Sequence, residues 1–161
     1  MQFDPLKDYS IHDLKDPEHL VNWNFSELIK TLITLAADPD RQLQIMNSNN
    51  AANEMLLDFE SFYGLSARKY VQAKLISYPQ AEALDALKEL LDLQEQEEDD
   101  SDTLFDDPLW ETIREKAGSV LQLMNFGNLD IQLEKTFKSE EKHGGERKNS
   151  EQVRRKIVRK K

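Results

Sequence analysis

Apolar side chains recur at three- and four-residue steps over most of residues 20–124, and aspartate–proline pairs punctuate that rhythm. This spacing gathers apolar groups on one face of an α-helix. Four of the five prolines follow an aspartate, as Asp4-Pro5, Asp16-Pro17, Asp38-Pro39 and Asp107-Pro108. An aspartate carboxylate accepts a backbone N–H at a helix start. The proline after it lacks a donor that would be unpaired there anyway. The last three pairs are read as helix starts; Asp4-Pro5 opens a segment too irregular to assign.

The clearest helix spans 25–37, with Phe25, Leu28, Ile29, Leu32, Ile33 and Ala36 on one face. Asn24 is read as its cap, Glu27 as the capping-box partner, and Trp23 with Leu28 as a hydrophobic staple. Asn24-Phe25-Ser26 fits a glycosylation acceptor and is read as this helix start instead. A shorter helix follows Asp38-Pro39 to about 46, and Asn47-Ser48-Asn49-Asn50 is a turn. The stripe Ala52, Met55, Leu56, Phe59, Phe62, Tyr63 predicts a helix over 51–63, closed by Gly64. Ser66 opens another. Ser77 with Gln80 forms a capping box for a helix that buries Ala83, Leu84, Leu87, Leu90 and Leu91. After Asp107-Pro108, Trp110, Ile113, Ala117, Val120 and Met124 mark a long helix that Gly127 ends. Residues 129–137 suit either state, since Leu129, Ile131 and Leu133 alternate like a strand while Leu129, Leu133 and Phe137 fit a helix. The expectation is an all-α fold: one compact bundle of five to six helices, with an acidic linker before the last long helix and a basic C-terminal tail.

Charge divides the chain by position. Residues 1–137 carry 27 acidic and 11 basic side chains, a net of −16, and residues 138–161 carry 4 and 10, a net of +6. The expected organisation is an acidic helical domain over 1–137 and a basic, flexible tail over 138–161. Within 94–107, Glu95, Glu97, Glu98, Asp99, Asp100, Asp102, Asp106 and Asp107 repel one another and read as an exposed linker or a frayed helix end. In the tail, Arg147, Lys148, Arg154, Arg155, Lys156, Arg159, Lys160 and Lys161 are candidates for neutralising nucleic-acid phosphates. No aromatic accompanies them to stack on bases.

Catalytic chemistry finds little purchase. There are no cysteines, which removes disulfides, thiolate zinc sites and cysteine nucleophiles and fits a reducing cytoplasm. His12, His19 and His143 share no metal-ligand spacing, and no serine lies in a Gly-x-Ser-x-Gly turn. Glu54 and Asp58, four apart with Glu60 nearby, suit a polar face or a basic partner better than a metal. Glu140-Glu141-Lys142 matches the acid-x-Lys element of some nucleases without the strand and preceding acid that element needs. No glycine-rich phosphate loop is present. The start lacks a basic region followed by an apolar stretch, so no secretory signal is expected, and Leu32–Ala37 is too short to span a membrane. No cofactor, membrane or small-molecule ligand is expected.

Three stretches carry a resemblance. Leu35-Ala36-Ala37-Asp38-Pro39-Asp40-Arg41-Gln42, Asn53-Glu54-Met55-Leu56-Leu57-Asp58-Phe59-Glu60, and Pro108-Leu109-Trp110 with Ile113-Arg114 resemble small acidic all-helical bacterial proteins of the immunity type, over residues 20–127. The resemblance implies a non-catalytic inhibitor that binds a basic toxin and blocks its working surface. On that reading Glu54, Asp58, Glu60, the acidic run Glu97–Asp107 and Trp110 are the partner-binding residues. The alternative is a nucleic-acid-associated or assembly protein that binds through its tail.

Overall fold

A computed structural model describes residues 3–95, 106–141 and 147–161, with side chains described up to 135 and from 153. It holds helices α1 (Pro17–Ala36), α2 (Pro39–Met46), α3 (Ala51–Phe59), α4 (Ala67–Gln72), α5 (Tyr78–Glu95) and α6 (Pro108–Leu123). A π turn, Glu60–Gly64, extends α3, and a short 3₁₀ turn, Asp13–Lys15, precedes α1. The chain ends in an antiparallel hairpin of β1 (Leu129–Glu141) and β2 (Arg147–Arg159). The fold is a mostly helical bundle with a small two-stranded sheet, not a purely all-α one.

The aspartate–proline pairs start helices as the sequence requires. Asp16, Asp38 and Asp107 accept from the backbone N–H of Glu18, Arg41 and Leu109 at 2.8–2.9 Å. The Ser77–Gln80 box closes in both directions: Gln80 Oε1 accepts from Ser77 N at 2.9 Å, and Ser77 Oγ accepts from Gln80 N at 3.3 Å. Asn24 caps nothing. It lies inside α1, which runs unbroken from Pro17, so the capping-box pattern at 24–27 marks no boundary.

Helix α1 is the centre of the bundle. It packs against α2, α3, α4, α6 and β1, most extensively against α6. Leu28, Ile29 and every residue from 31 to 35 are buried, so this part of the helix is covered on more than one face. Buried Thr31 and Thr34 donate their hydroxyls back to the carbonyls of Glu27 and Lys30, at 2.9 and 2.8 Å. That pairing lets polar side chains enter a core without an orphaned donor. Phe25 is an aromatic hub, with ring centroids 4.9 Å from Phe3, 5.2 Å from Tyr70 and 6.3 Å from Phe126. Gln42 is wholly buried and joins three helices: its amide donates to Leu35 O at 3.1 Å and accepts from Arg114 Nη1 at 3.4 Å.

Among the described residues, three helices end on left-handed residues that are not glycine: α2 on Asn47 (φ 50°), whose N–H bonds Leu43 O alone, and two others through a fuller cap. At Lys74 (φ 60°), Leu75 N bonds Tyr70 O and Lys74 N bonds Val71 O. At Asn125 (φ 64°), Phe126 N bonds Leu121 O and Asn125 N bonds Gln122 O. Both are Schellman ends, which satisfy the last carbonyls of a helix. The long helix therefore stops at Leu123, through Asn125, before the expected Gly127.

Residues 129–137 are strand, and the expected tail supplies its partner. Register pairs Leu129 with Arg159, Ile131 with Ile157 and Glu141 with Arg147. The expected boundary between 137 and 138 falls inside β1. Leu129, Ile131 and Ile157 are buried against the bundle, so the C-terminal segment completes the core and is not a free extension. The basic composition hid this, because only Val153, Ile157 and Val158 in β2 are apolar.

Trp110, named from sequence among the partner-binding residues, is 0% exposed and belongs to the core. Trp110→Ala is expected to lower unfolding free energy by about 3–5 kcal/mol in a denaturant titration; a cost below about 1 kcal/mol would contradict its burial. Lys74→Gly is expected to raise stability by up to about 1 kcal/mol, since a Cβ in the left-handed region costs about 1–2 kcal/mol, partly offset by glycine's greater flexibility.

Candidate functional site

Of the three acids expected to share one surface, Glu54 and Asp58 lie one turn apart on the same side of α3, and Glu60, in the π turn, falls on another. Glu54 accepts from Ser48 Oγ at 2.9 Å and serves the turn before the helix. Asp58 is half-buried and faces a cavity of about 20 Å³ between α1, α3 and β2, walled also by Glu27, Lys30, Thr31 and Arg155. Burial raises the Asp58 carboxyl above its ordinary value; Arg155 opposes the shift, and Glu54 and Glu27 add to it. Glu60, in the π turn, is exposed and points to the other side of α3. Gly64 leaves room for the Glu60 carboxylate, which a Cβ at that position would overlap.

Glu60 joins residues the sequence reading did not single out. Between α3 and α5 lies a groove of about 370 Å³ whose lining includes Asn53, Leu57, Glu60, Lys88, Asp92 and Glu95. Its one cationic lining residue among the described residues, Lys88, donates to Asp92 Oδ2 at 2.9 Å. That bond raises the Lys88 ammonium above its ordinary value, and the charges of Asp92, Glu60 and Glu95 raise it further. Leu57 in the groove is 56% exposed, and Leu93 on α5 is 54% exposed. A signal for this surface was present: Leu57 lies outside the buried stripe of its helix, and Lys88 and Asp92 are four apart. Glu97, Glu98, Asp99, Asp100 and Asp102 lie outside the described residues. Asp106 is exposed, and Asp107 is committed to capping α6.

Among the described basic C-terminal side chains, Arg154 and Arg155 reach the body of the protein, although Arg154 stays exposed. Arg154 Nη2 lies 2.9 Å from Asp8 Oδ2, and Arg155 Nε donates to Ile45 O at 3.1 Å. Lys160 N bonds Asn128 O at 2.8 Å. Register sets Arg147 opposite Glu141, Lys148 opposite Glu140, Arg154 opposite Glu134 and Lys156 opposite Gln132. Arg159, Lys160 and Lys161 are exposed. The phosphate-binding set expected from sequence is therefore divided between intramolecular partners and the strand's end.

Among the described residues no group of three or more His, Asp or Glu is placed to hold a metal ion, and no helix is long and apolar enough to cross a membrane. The α3–α5 groove offers carboxylates, one lysine and exposed leucine, which suits cationic amphipathic surfaces. Tyr63 supports it from below: its buried hydroxyl donates to Asp85 Oδ1 at 2.6 Å, tying the π turn to α5.

Asp58 has a signed pH consequence. Its raised folded-state pKa means the ionised form costs stability at neutral pH, and acidification through the carboxylate range relieves that cost. Asp58→Asn is expected to raise the thermal midpoint at pH 7, and the gain should shrink toward about pH 4. A variant less stable than the parent at pH 7 would show that attraction to Arg155 outweighs burial.

No family model, curated protein or solved structure matches the chain.

Proposed function

We propose that this chain is a non-catalytic, acidic protein-binding module of the immunity type, which covers a basic surface of a toxin-like partner with its α3–α5 groove. The observation that carries the reading is the pairing of exposed Leu57 with Glu60, Asp92 and Glu95 along one groove. Exposed apolar groups bounded by carboxylates give a partner buried area and cationic complementarity at the same place. The net −16 of residues 1–137 adds long-range attraction that speeds encounter with a basic protein and repels nucleic acid. The mechanism is occlusion: carboxylates pair with partner arginines and lysines while leucine side chains exclude water.

A second reading uses the hairpin, because a two-stranded ribbon fits the DNA major groove. Against it, carboxylates stand opposite Arg147, Lys148 and Arg154 in register, and Arg154 also pairs with Asp8. The glutamates in the hairpin lower its net positive charge, and the Asp8 pair engages one of its arginines. The groove is therefore the favoured surface.

The test begins by capturing the bound protein from the source cells with the full chain as bait, then measuring association rates with the purified partner. Combined Glu60→Lys, Asp92→Lys and Glu95→Lys is expected to slow association tenfold or more at low salt, with a smaller effect at high salt. Glu18→Lys, on α1 away from the groove, should have little effect. An acidic partner, or equal rates for the triple variant and the parent, would overturn the proposal; a complex that forms only with nucleic acid would favour the hairpin reading.

A further inference from the structure

The hairpin has two outer edges, and the structure treats them differently. In an antiparallel pair, residues alternate between those whose backbone groups bond the partner strand and those whose groups point outward. Ile131 belongs to the outward class: its carbonyl accepts from Arg41 Nη2, and its N–H donates to Asp130 Oδ1 at 2.8 Å. Leu129, two residues earlier, also turns its N–H outward, to Phe126 O at 3.1 Å. The β1 edge is thus capped where it meets the bundle.

Register carries the same phase to β2. Ile131 pairs with Ile157, Leu133 with Arg155 and Lys135 with Val153. The N–H and C=O groups of Val153, Arg155 and Ile157 therefore point away from β1. Among the described residues no backbone hydrogen bond from another element reaches them. The same three residues line a cleft of about 380 Å³, whose far wall is the segment 5–9 and whose floor includes Trp23 and Ser26 of α1.

Charge defines what this cleft accepts. Among the described residues, Lys7, Lys30, Arg154 and Arg155 line it with two carboxylates, Asp8 and Glu27. Both carboxylates are already paired, Glu27 with Lys30 and Asp8 with Arg154, each at 2.9 Å. A cationic cleft is the reverse of the acidic character of residues 1–137. Charged residues on an edge strand discourage indiscriminate strand pairing, and cationic ones leave an acidic strand as the favoured partner.

We propose that the outer edge of β2 is a strand-addition site for an extended acidic peptide of a second protein. The peptide lies between β2 and residues 5–9 and exchanges backbone hydrogen bonds with Val153, Arg155 and Ile157. Its carboxylates replace Asp8 on Arg154 and meet Lys7. Main-chain bonds hold the strand and the cationic side chains select its charge, as in β-augmentation generally. This site is independent of the α3–α5 groove and of opposite charge preference.

Backbone amide hydrogen exchange on the full chain tests the proposal, with the capped peptide Asp-Val-Asp-Val-Asp-Val as probe. In the free protein the amides of Arg154, Lys156 and Val158, which bond β1, should exchange slowly, and those of Val153, Arg155 and Ile157 rapidly. Saturating peptide should slow the second set tenfold or more. Arg154→Glu should abolish that slowing while the first set stays protected, which shows that the hairpin remains folded. The same peptide N-methylated at alternate residues should fail to protect. The proposal is overturned if Val153, Arg155 and Ile157 are already protected without peptide, if the peptide leaves their exchange unchanged, or if duplex DNA protects them and the peptide does not.

Discussion

The structure depends on the burial of α1. A helix covered on several sides cannot be amphipathic in the ordinary way, and its polar residues need partners inside the core. Thr31 and Thr34 find them on their own helix, and Gln42 supplies the amide that satisfies Leu35 O at the C-terminal end. With those groups satisfied, leucine and isoleucine can contact α6 on one side and α2, α3 and α4 on others. Each fully buried side chain of that type contributes about 1.5–3 kcal/mol. The short helices α2, α3 and α4 each cover part of α1, whereas the longer α5 packs chiefly on α6.

The opposite charges of the body and the C-terminal segment acquire a structural meaning. Part of the positive segment neutralises part of the negative body within one molecule, through Arg154 with Asp8 and through Arg155 beside Asp58. What remains is spatially sorted. Carboxylates dominate the α3–α5 groove, and cations dominate the cleft along β2. A net charge summed over the chain describes neither surface. The two lie on different elements, so occupation of one leaves the other's lining residues in place.

Local chemistry was legible in the sequence wherever it acts within a few residues. Three aspartate–proline starts, the Ser77–Gln80 box and the buried stripes of α3, α5 and α6 were readable because capping and helical periodicity are short-range. Asn24 misled because a capping pattern has meaning only when the chain before it is not helical, and Asp16-Pro17 had already begun the helix. The hairpin was hidden for the opposite reason. Strand pairing joins Leu129 to Arg159 across thirty positions, and β2 offers too few apolar residues to announce itself. The site suffered similarly: Glu54 and Asp58 share a side of α3 but meet different neighbours, Ser48 and the Arg155 cavity, and Glu60 turns away from both. Asp92 and Glu95 became relevant only once α5 was placed beside α3.

The docking of β2 also shapes the order in which the molecule assembles. Apart from the extensive α1–α6 pairing, the bundle joins helices near one another along the chain, whereas Arg155 reaches Ile45 across 110 positions and Arg154 reaches Asp8 across 146. Closing such loops costs more chain entropy than forming a helical pair, so these contacts suit a late step. The two strands of the hairpin lie close together along the chain, so their pairing can precede their docking onto a nearly finished bundle. The same geometry makes the hairpin a natural first unit to detach, since its departure uncovers Leu129, Ile131 and Ile157 while α1 stays enclosed by helices. Folding and partial unfolding thus share one seam, running between β2 and the helices it rests on.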